Sequence, residues 1–100
     1  LLSEMESPEN FVAGAERMSE ISGKSREHIA RSIKKYCGIT TAEYINELRI
    51  NYASNLLLRT NTPVLDICYL SGFESLSYFY KIFNQKYGIS PGKFRKQSSN

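Results

Sequence analysis

The chain carries an imperfect copy of one of its own segments. Residues 18–44, MSEISGKSREHIARSIKKYCGITTAEY, lie over residues 67–94, ICYLSGFESLSYFYKIFNQKYGISPGKF. At a shift of 49, Met18 meets Ile67, Ser19 meets Cys68, Ile21 meets Leu70, Ser22 meets Ser71 and Gly23 meets Gly72. The second copy then gains one residue. At a shift of 50, Ser25 meets Ser75, Ile29 meets Phe79, Arg31 meets Lys81 and Ile33 meets Phe83. Gly38 meets Gly88, Ile39 meets Ile89, Thr40 meets Ser90 and Tyr44 meets Phe94 in the same register. Apolar periodicity recurs by chance in any helical chain. Glycines and helix caps recurring in step do not, so the pattern reads as a tandem duplication.

Each copy reads as a small residue, three residues, a glycine, a short turn, a serine cap and a helix of about 12 residues, which is the pattern of a helix-turn-helix. Ser19 or Cys68 is small enough to let two helices approach. The glycine permits the positive φ of a tight turn. Ser25 and Ser75 cap the following helices, predicted over about 25–37 and 75–87, whose free N–H groups favour a phosphate. Ile29, Ile33 and Tyr36 form the inner face of the first, and Phe79, Ile82, Phe83 and Tyr87 that of the second. The outer faces carry Arg26, Glu27, Ala30, Arg31, Lys34 and Lys35, and Leu76, Ser77, Tyr78, Tyr80, Lys81 and Asn84. A helix with such a face fits the major groove of B-DNA.

The rest of the chain is also helix-patterned. Leu1, Leu2 and Met5 read as the tail of a helix, and Ser7-Pro8 either ends it or opens the next. Phe11, Ala15, Met18 and Ile21 share a face, predicting helix over about 12–22, with Gly14 inside it as a weak point. Thr40 or Thr41 caps a long helix to about Arg59, which carries Tyr44, Ile45, Leu48, Tyr52 and Leu56 as its apolar residues, with Leu57 a further candidate. Val64, Ile67, Cys68 and Leu70 make a short helix after Pro63, and Ser90-Pro91 opens a last one holding Phe94. No stretch alternates with period two, so the fold class is all-α. It divides into a first lobe over 1–39, truncated at its N-terminus, a linker helix over 40–60 and a second lobe over 61–100. The abrupt Leu1-Leu2 start suggests a fragment.

Charge sharpens the picture. Residues 1–23 hold five glutamates against one arginine, a balance of −4, so the net charge of +3 leaves +7 for the remainder. Lys24, Arg26, Arg31, Lys34 and Lys35 cluster around Glu27; Lys81, Lys86, Lys93, Arg95 and Lys96 cluster with no acid. Two positive patches suit a partner with two sets of negative charge, and double-stranded DNA is the expected one. The long helix would space two probes by about the 34 Å of a DNA turn, and the unlike outer faces would read an asymmetric site.

The segment TPVLDICYLSGFESLSYFYKIFNQKYGISPGKFR resembles the second helix-turn-helix signature of AraC/XylS-type transcription regulators, and ITTAEYINELRINYASNLLL resembles their linker helix. The resemblance covers about residues 12–96. It implies two helix-turn-helix lobes joined by one helix, with RNA polymerase and a separate N-terminal effector-binding domain as further partners. Leu1–Glu6 would be the remnant of the first helix. The stretch SGKSREHIARSIKKYCGITTAEYINELRINYA also resembles regulators of chitobiose or cellobiose operons. The family's base-reading positions fall on Glu27, Ala30 and Arg31 and on Leu76, Ser77, Tyr80 and Lys81. Arg31 suits guanine O6 and N7; Glu27 suits a cytosine amine or an i,i+4 pair with Arg31. Phosphate contacts are expected from Lys24, Ser25, Arg26, Lys34, Lys35, Ser75, Tyr78, Asn84, Lys86, Arg95 and Lys96. Lys24 departs from the family by standing where an apolar residue is common, as Phe73 does in the second copy, so the first lobe is expected to be the looser.

Other functions fare worse. One histidine, two separated cysteines and no glycine-rich phosphate loop supply neither a nucleophile–base pair nor a metal set, so no catalytic residue, metal or cofactor is expected. Cys37 and Cys68 read as reduced, partly buried thiols of a cytoplasmic protein. No run of 18 apolar residues is present, so no membrane partner is expected. A helical protein–protein adaptor would explain the helices but not the repeated turn and cap with two basic patches. RNA binding would call for a sheet platform with exposed rings.

Overall fold

Pro8, with its fixed φ and missing N–H, stands at the first position of a helix, where that N–H would have had no partner. The structure is a computed structural model that describes residues 8–11 and 13–98, without the side chains of Glu9 and Ala15. Among these residues all regular structure is helical: α1 (Pro8–Phe11), α2 (Ala15–Ser22), α3 (Arg26–Cys37), α4 (Thr41–Arg59), α5 (Val64–Leu70), α6 (Leu76–Tyr87) and α7 (Pro91–Ser98). The remnant helix expected over Leu1–Glu6 lies outside the described residues. The chain packs as two units, one ending at Arg49 and one beginning at Ile50, so α4 belongs to both. The fold is all-α, with two helix-turn-helix lobes and one long helix running from the first into the second.

The helix predicted over 12–22 is shorter than its apolar pattern. Gly14 is not a weak point inside it but its boundary: φ is 83° there, a value that costs most residues and not glycine. A Cβ at Gly14 would meet the Arg49 guanidinium at 3.1 Å, and Arg49 Nε donates to the Phe11 carbonyl at 3.2 Å. The glycine thus gives room to a side chain that ties α4 to the end of α1.

Of the two candidate caps for α4, Thr40 is the cap. The Glu43 N–H donates to Thr40 Oγ1 and the Thr40 N–H to Glu43 Oε1, both at 3.1 Å, a reciprocal capping box. The bond from the Thr40 backbone is the main cause holding the Glu43 carboxyl below the ordinary glutamate value; the Thr40 side chain and the nearby Lys34 act in the same direction. A carboxyl depressed in the fold stabilises it fully above the unfolded value, about 4.3, and that support is lost as pH falls through the folded value. Acid titration of helicity should therefore be shallower in Glu43→Gln than in the parent below about pH 4.3. Identical acid limbs in the two proteins would contradict the box.

In the first lobe, Phe11, Met18, Ile29, Ile33 and Ile45 are buried. In the second, Ile50, Ala53, Leu57, Ile67, Cys68, Phe73, Phe79 and Phe83 form one core, with Leu56, Val64, Leu76, Ile82, Tyr87 and Phe94 packed against it. Ile50 and Ala53 were not among the apolar residues picked out for α4 from the sequence, and the buried positions of this helix do not follow one stripe because it serves two cores. Leu70 is exposed, as are Leu65 and Tyr69. Tyr36, expected inward, is 76% exposed. Its repeat partner is Lys86, an exposed residue, whereas the ring that closes the second lobe is one position later: Tyr87 lies 4.7 Å from both Phe83 and Phe94. The position matching Tyr87 is Cys37, which is exposed rather than partly buried, while Cys68 is buried as a core thiol. Burial raises the pKa of the Cys68 thiol and keeps it neutral.

Candidate nucleic-acid interface

The two turns show why the small residue precedes each glycine. Ser19 Oγ donates to the Lys24 carbonyl at 2.6 Å. Cys68, its repeat partner, places Sγ 4.0 Å from the Phe73 carbonyl, the partner of Lys24. Each side chain therefore reaches across its turn to the residue after the glycine, beyond merely letting helices approach. The glycines have φ of 69° at Gly23 and 99° at Gly72, the left-handed region that favours glycine. The inserted residue lengthens only the second turn. It leaves Phe73 2% exposed, with its ring 5.1 Å from Phe79, whereas Lys24 in the shorter turn is exposed.

Beyond the turns, both second helices are capped alike. Ser25 Oγ accepts from the His28 N–H at 3.2 Å and Ser75 Oγ from the Tyr78 N–H at 3.1 Å. Each serine satisfies one donor of its first turn; the other early N–H groups have no intrahelical acceptor, and the positive end of the helix dipole lies with them. Ile29 and Ile33 anchor α3, and Phe79 and Phe83 anchor α6.

The outer faces emerge largely as expected. Lys24, Ser25, Arg26, Glu27, Arg31, Lys34 and Lys35 are exposed on the first lobe, with Ala30 half-buried. Ser75, Ser77, Tyr78, Tyr80, Lys81, Asn84 and Lys86 are exposed on the second. Leu76 is half-buried against the core, so its side chain is shared between packing and surface. Among the described residues no ion pair joins Glu27 to Arg31. Several of these lysines have local partners: Lys34 Nζ donates to the Gly38 carbonyl at 3.3 Å and Lys86 Nζ to Asn51 Oδ1 at 2.7 Å, and Lys35 Nζ stands 5.4 Å from the Tyr36 ring centroid.

Arg95 differs from the other cations. Its Nε donates to the Leu57 carbonyl at 3.1 Å, and Nη2 to those of Thr60 at 3.2 Å and Thr62 at 2.7 Å. These carbonyls lie at and just beyond the end of α4, where acceptors lack intrahelical partners and the dipole favours a cation. The guanidinium is committed to holding α7 on α4. Arg49 does the corresponding work at the Phe11 carbonyl, and Phe11 is the shift-49 partner of Thr60. Nothing in the sequence around either arginine marks it for this.

Two capped helices, each following a glycine turn and each with an exposed polar and basic outer face, define a duplicated helix-turn-helix unit. The family described as "Helix-turn-helix domain" matches residues 18–97. The bifunctional transcriptional activator/DNA repair enzyme AdaA of Bacillus subtilis is 36% identical over 83 residues, 83% of this chain and 39% of that protein. The transcriptional activator RhaR of Klebsiella pneumoniae is 35% identical over 83 residues, 83% of this chain and 30% of that protein. A transcriptional regulator from Chromobacterium violaceum, described as containing an AraC-type DNA-binding domain, superposes with a TM-score of 0.84 at 29% identity over 99% of this chain and 88% of that one. The chain belongs to the AraC/XylS family of transcription regulators and is their helix-turn-helix DNA-binding domain. It spans less than half the length of the two curated relatives.

Proposed function

We propose that the chain reads one asymmetric DNA site by placing α3 and α6 in adjacent major grooves. The duplicated outer face carries this reading: two serine-capped helices with exposed cations, on one chain. The continuous 19-residue α4 supports it, since about 28 Å of helix is commensurate with the 34 Å of a DNA turn. In functional terms residues 1–39 and 61–100 are the two reading lobes and 40–60 the linker. Glu27, Ala30 and Arg31 face bases from the first lobe, and Leu76, Ser77, Tyr80 and Lys81 from the second. Lys24, Ser25, Arg26, Lys34, Lys35, Ser75, Tyr78, Asn84, Lys86 and Lys96 face phosphates; Arg95 leaves that set because its guanidinium is occupied. The chain works in the cytoplasm within a longer regulator, with an N-terminal effector-binding domain and RNA polymerase as partners.

Selection from random duplexes tests the reading. One site should emerge with two unlike half-motifs a helical turn apart; recovery of unrelated sequences would refute it. Arg31→Ala should cost about 1–3 kcal/mol at the selected site and relax the preference at one or two base pairs. Lys35→Ala should weaken all duplexes alike and flatten the salt slope. Equal losses on every duplex for Arg31→Ala would remove it from the base-reading set.

The adaptor reading has one observation in its favour: Leu58, Leu65, Tyr69 and Leu70 are about half exposed in the second lobe. Salt separates the two readings. Phosphate-driven binding falls steeply between 50 and 200 mM salt, and apolar docking does not.

A further inference from the structure

A recess of about 280 Å³ opens beside the first reading helix, lined by Arg26, Ile29, Ala30, Thr41 and Ala42. It lies between the first two turns of α3 and the first turn of α4. The repeat shows what makes this place unusual. Fifty residues on, Leu76 and Tyr80 stand where Arg26 and Ala30 stand here. In the second lobe Leu76 packs on the core and the Tyr80 ring lies 6.1 Å from Phe79. The second lobe thus supplies large side chains of its own at positions where the first has an alanine and a solvent-reaching arginine. The Thr41 hydroxyl is buried, so apart from the Arg26 guanidinium the side chains lining the recess have only apolar groups to offer a visitor.

The charges around it indicate what that visitor is. Arg26 lines the recess, Lys24 and Arg31 are exposed near it in sequence on the turn and on α3, and two helix N-termini flank it. The acids nearby are Glu27 and Glu43, and Glu43 is engaged with Thr40. A polyanion that also presents a small apolar group satisfies both the rim and the lining. In the major groove the one such group on a base edge is the 5-methyl of thymine. We infer that the recess takes a thymine 5-methyl group, against Ala30, Ile29 and Ala42, with Arg26 on a neighbouring phosphate. The inference rests on the DNA reading above and adds to it a base identity for the first lobe. Ala30 selects by leaving space, not by donating a hydrogen bond.

The test uses the selected duplex with each thymine of the first half-motif replaced in turn by uracil, which removes only the methyl. The half-motif is assigned to the first lobe by its response to Arg31→Ala. One uracil should weaken binding by the parent chain about fourfold, the worth of one buried methyl group at about 0.8 kcal/mol. Ala30→Tyr, which puts the second lobe's residue in the recess, should bind the thymine and uracil duplexes within about 1.5-fold of one another, because the methyl then has no recess in which to be buried. The parent scan needs no variant, so it stands even if Ala30→Tyr folds poorly. Binding with a flat uracil scan, or a first half-motif without thymine, overturns the recess assignment and leaves the DNA reading intact. A uracil effect that persists undiminished in folded Ala30→Tyr also overturns it. Failure of the parent chain to select any duplex overturns the DNA reading itself.

Discussion

Phe83→Ala is expected to destabilise the second lobe by about 3–5 kcal/mol. The ring is fully buried, with neighbouring ring centroids at 5.8 Å for Phe79, 4.7 Å for Tyr87 and 5.3 Å for Phe94. Truncating such a ring removes its transfer free energy and leaves a cavity that rigid neighbours close only partly, at about 3–5 kcal/mol. Small domains hold about 5–15 kcal/mol in total, so a loss of that size is a large part of the margin. The edge-to-face arrangement on Phe94 adds a directional part that leucine would not restore. Denaturant unfolding followed by far-ultraviolet circular dichroism measures the loss. A cost under about 1 kcal/mol would mean that this aromatic cluster does not hold α6 and α7 together.

Arg95→Ala should cost about 2–3 kcal/mol, because hydrogen bonds from a charged donor are lost and three carbonyls at the end of α4 are left without that partner. Arg95→Lys should recover only part, since one ammonium on a flexible stem cannot reproduce the guanidinium fork. DNA binding discriminates this role from a phosphate contact. If Arg95 holds α7 on α4, the slope of log affinity against log salt is the same in the folded variant as in the parent. A slope reduced by about 1 would return Arg95 to the phosphate set.

The aromatic and basic mixture of residues 72–91 is resolved by this arrangement. Phe79 and Phe83 are fully buried and Tyr87 half-buried, while Tyr78, Tyr80 and Lys81 stay on the outside. That division was legible in the 3.6-residue period, since side chains three and four apart share a face whatever the surroundings. The serine caps and the turn glycines were legible for a related reason: their requirements are met within a few residues. Tyr36 shows the limit. It falls on the expected inner face of α3, yet no described residue covers it at the last turn, and only its alignment with Lys86 carried a warning. Gly14 was legible as a glycine but not as a boundary, because the side chain that uses its space, Arg49, lies 35 residues away. The carbonyl bonds of Arg95 were not legible for the same reason. Its acceptors are more than 30 residues distant, and a cation in a basic cluster looks identical whether it faces a phosphate or a carbonyl.

Alone, the order of residues determined the all-helical class, the duplication, the turn glycines, the serine caps and most of each outward face. All of these depend on local backbone preference or on helical periodicity, which act over one or two turns. The tertiary structure decided which cations remain available, which of two positions turns inward at a helix end, how α4 divides its buried residues between two cores, and that a recess opens beside Ala30. Those outcomes depend on what distant segments bring into contact, and packing and hydrogen-bond geometry between such segments have no period for a linear reading to detect.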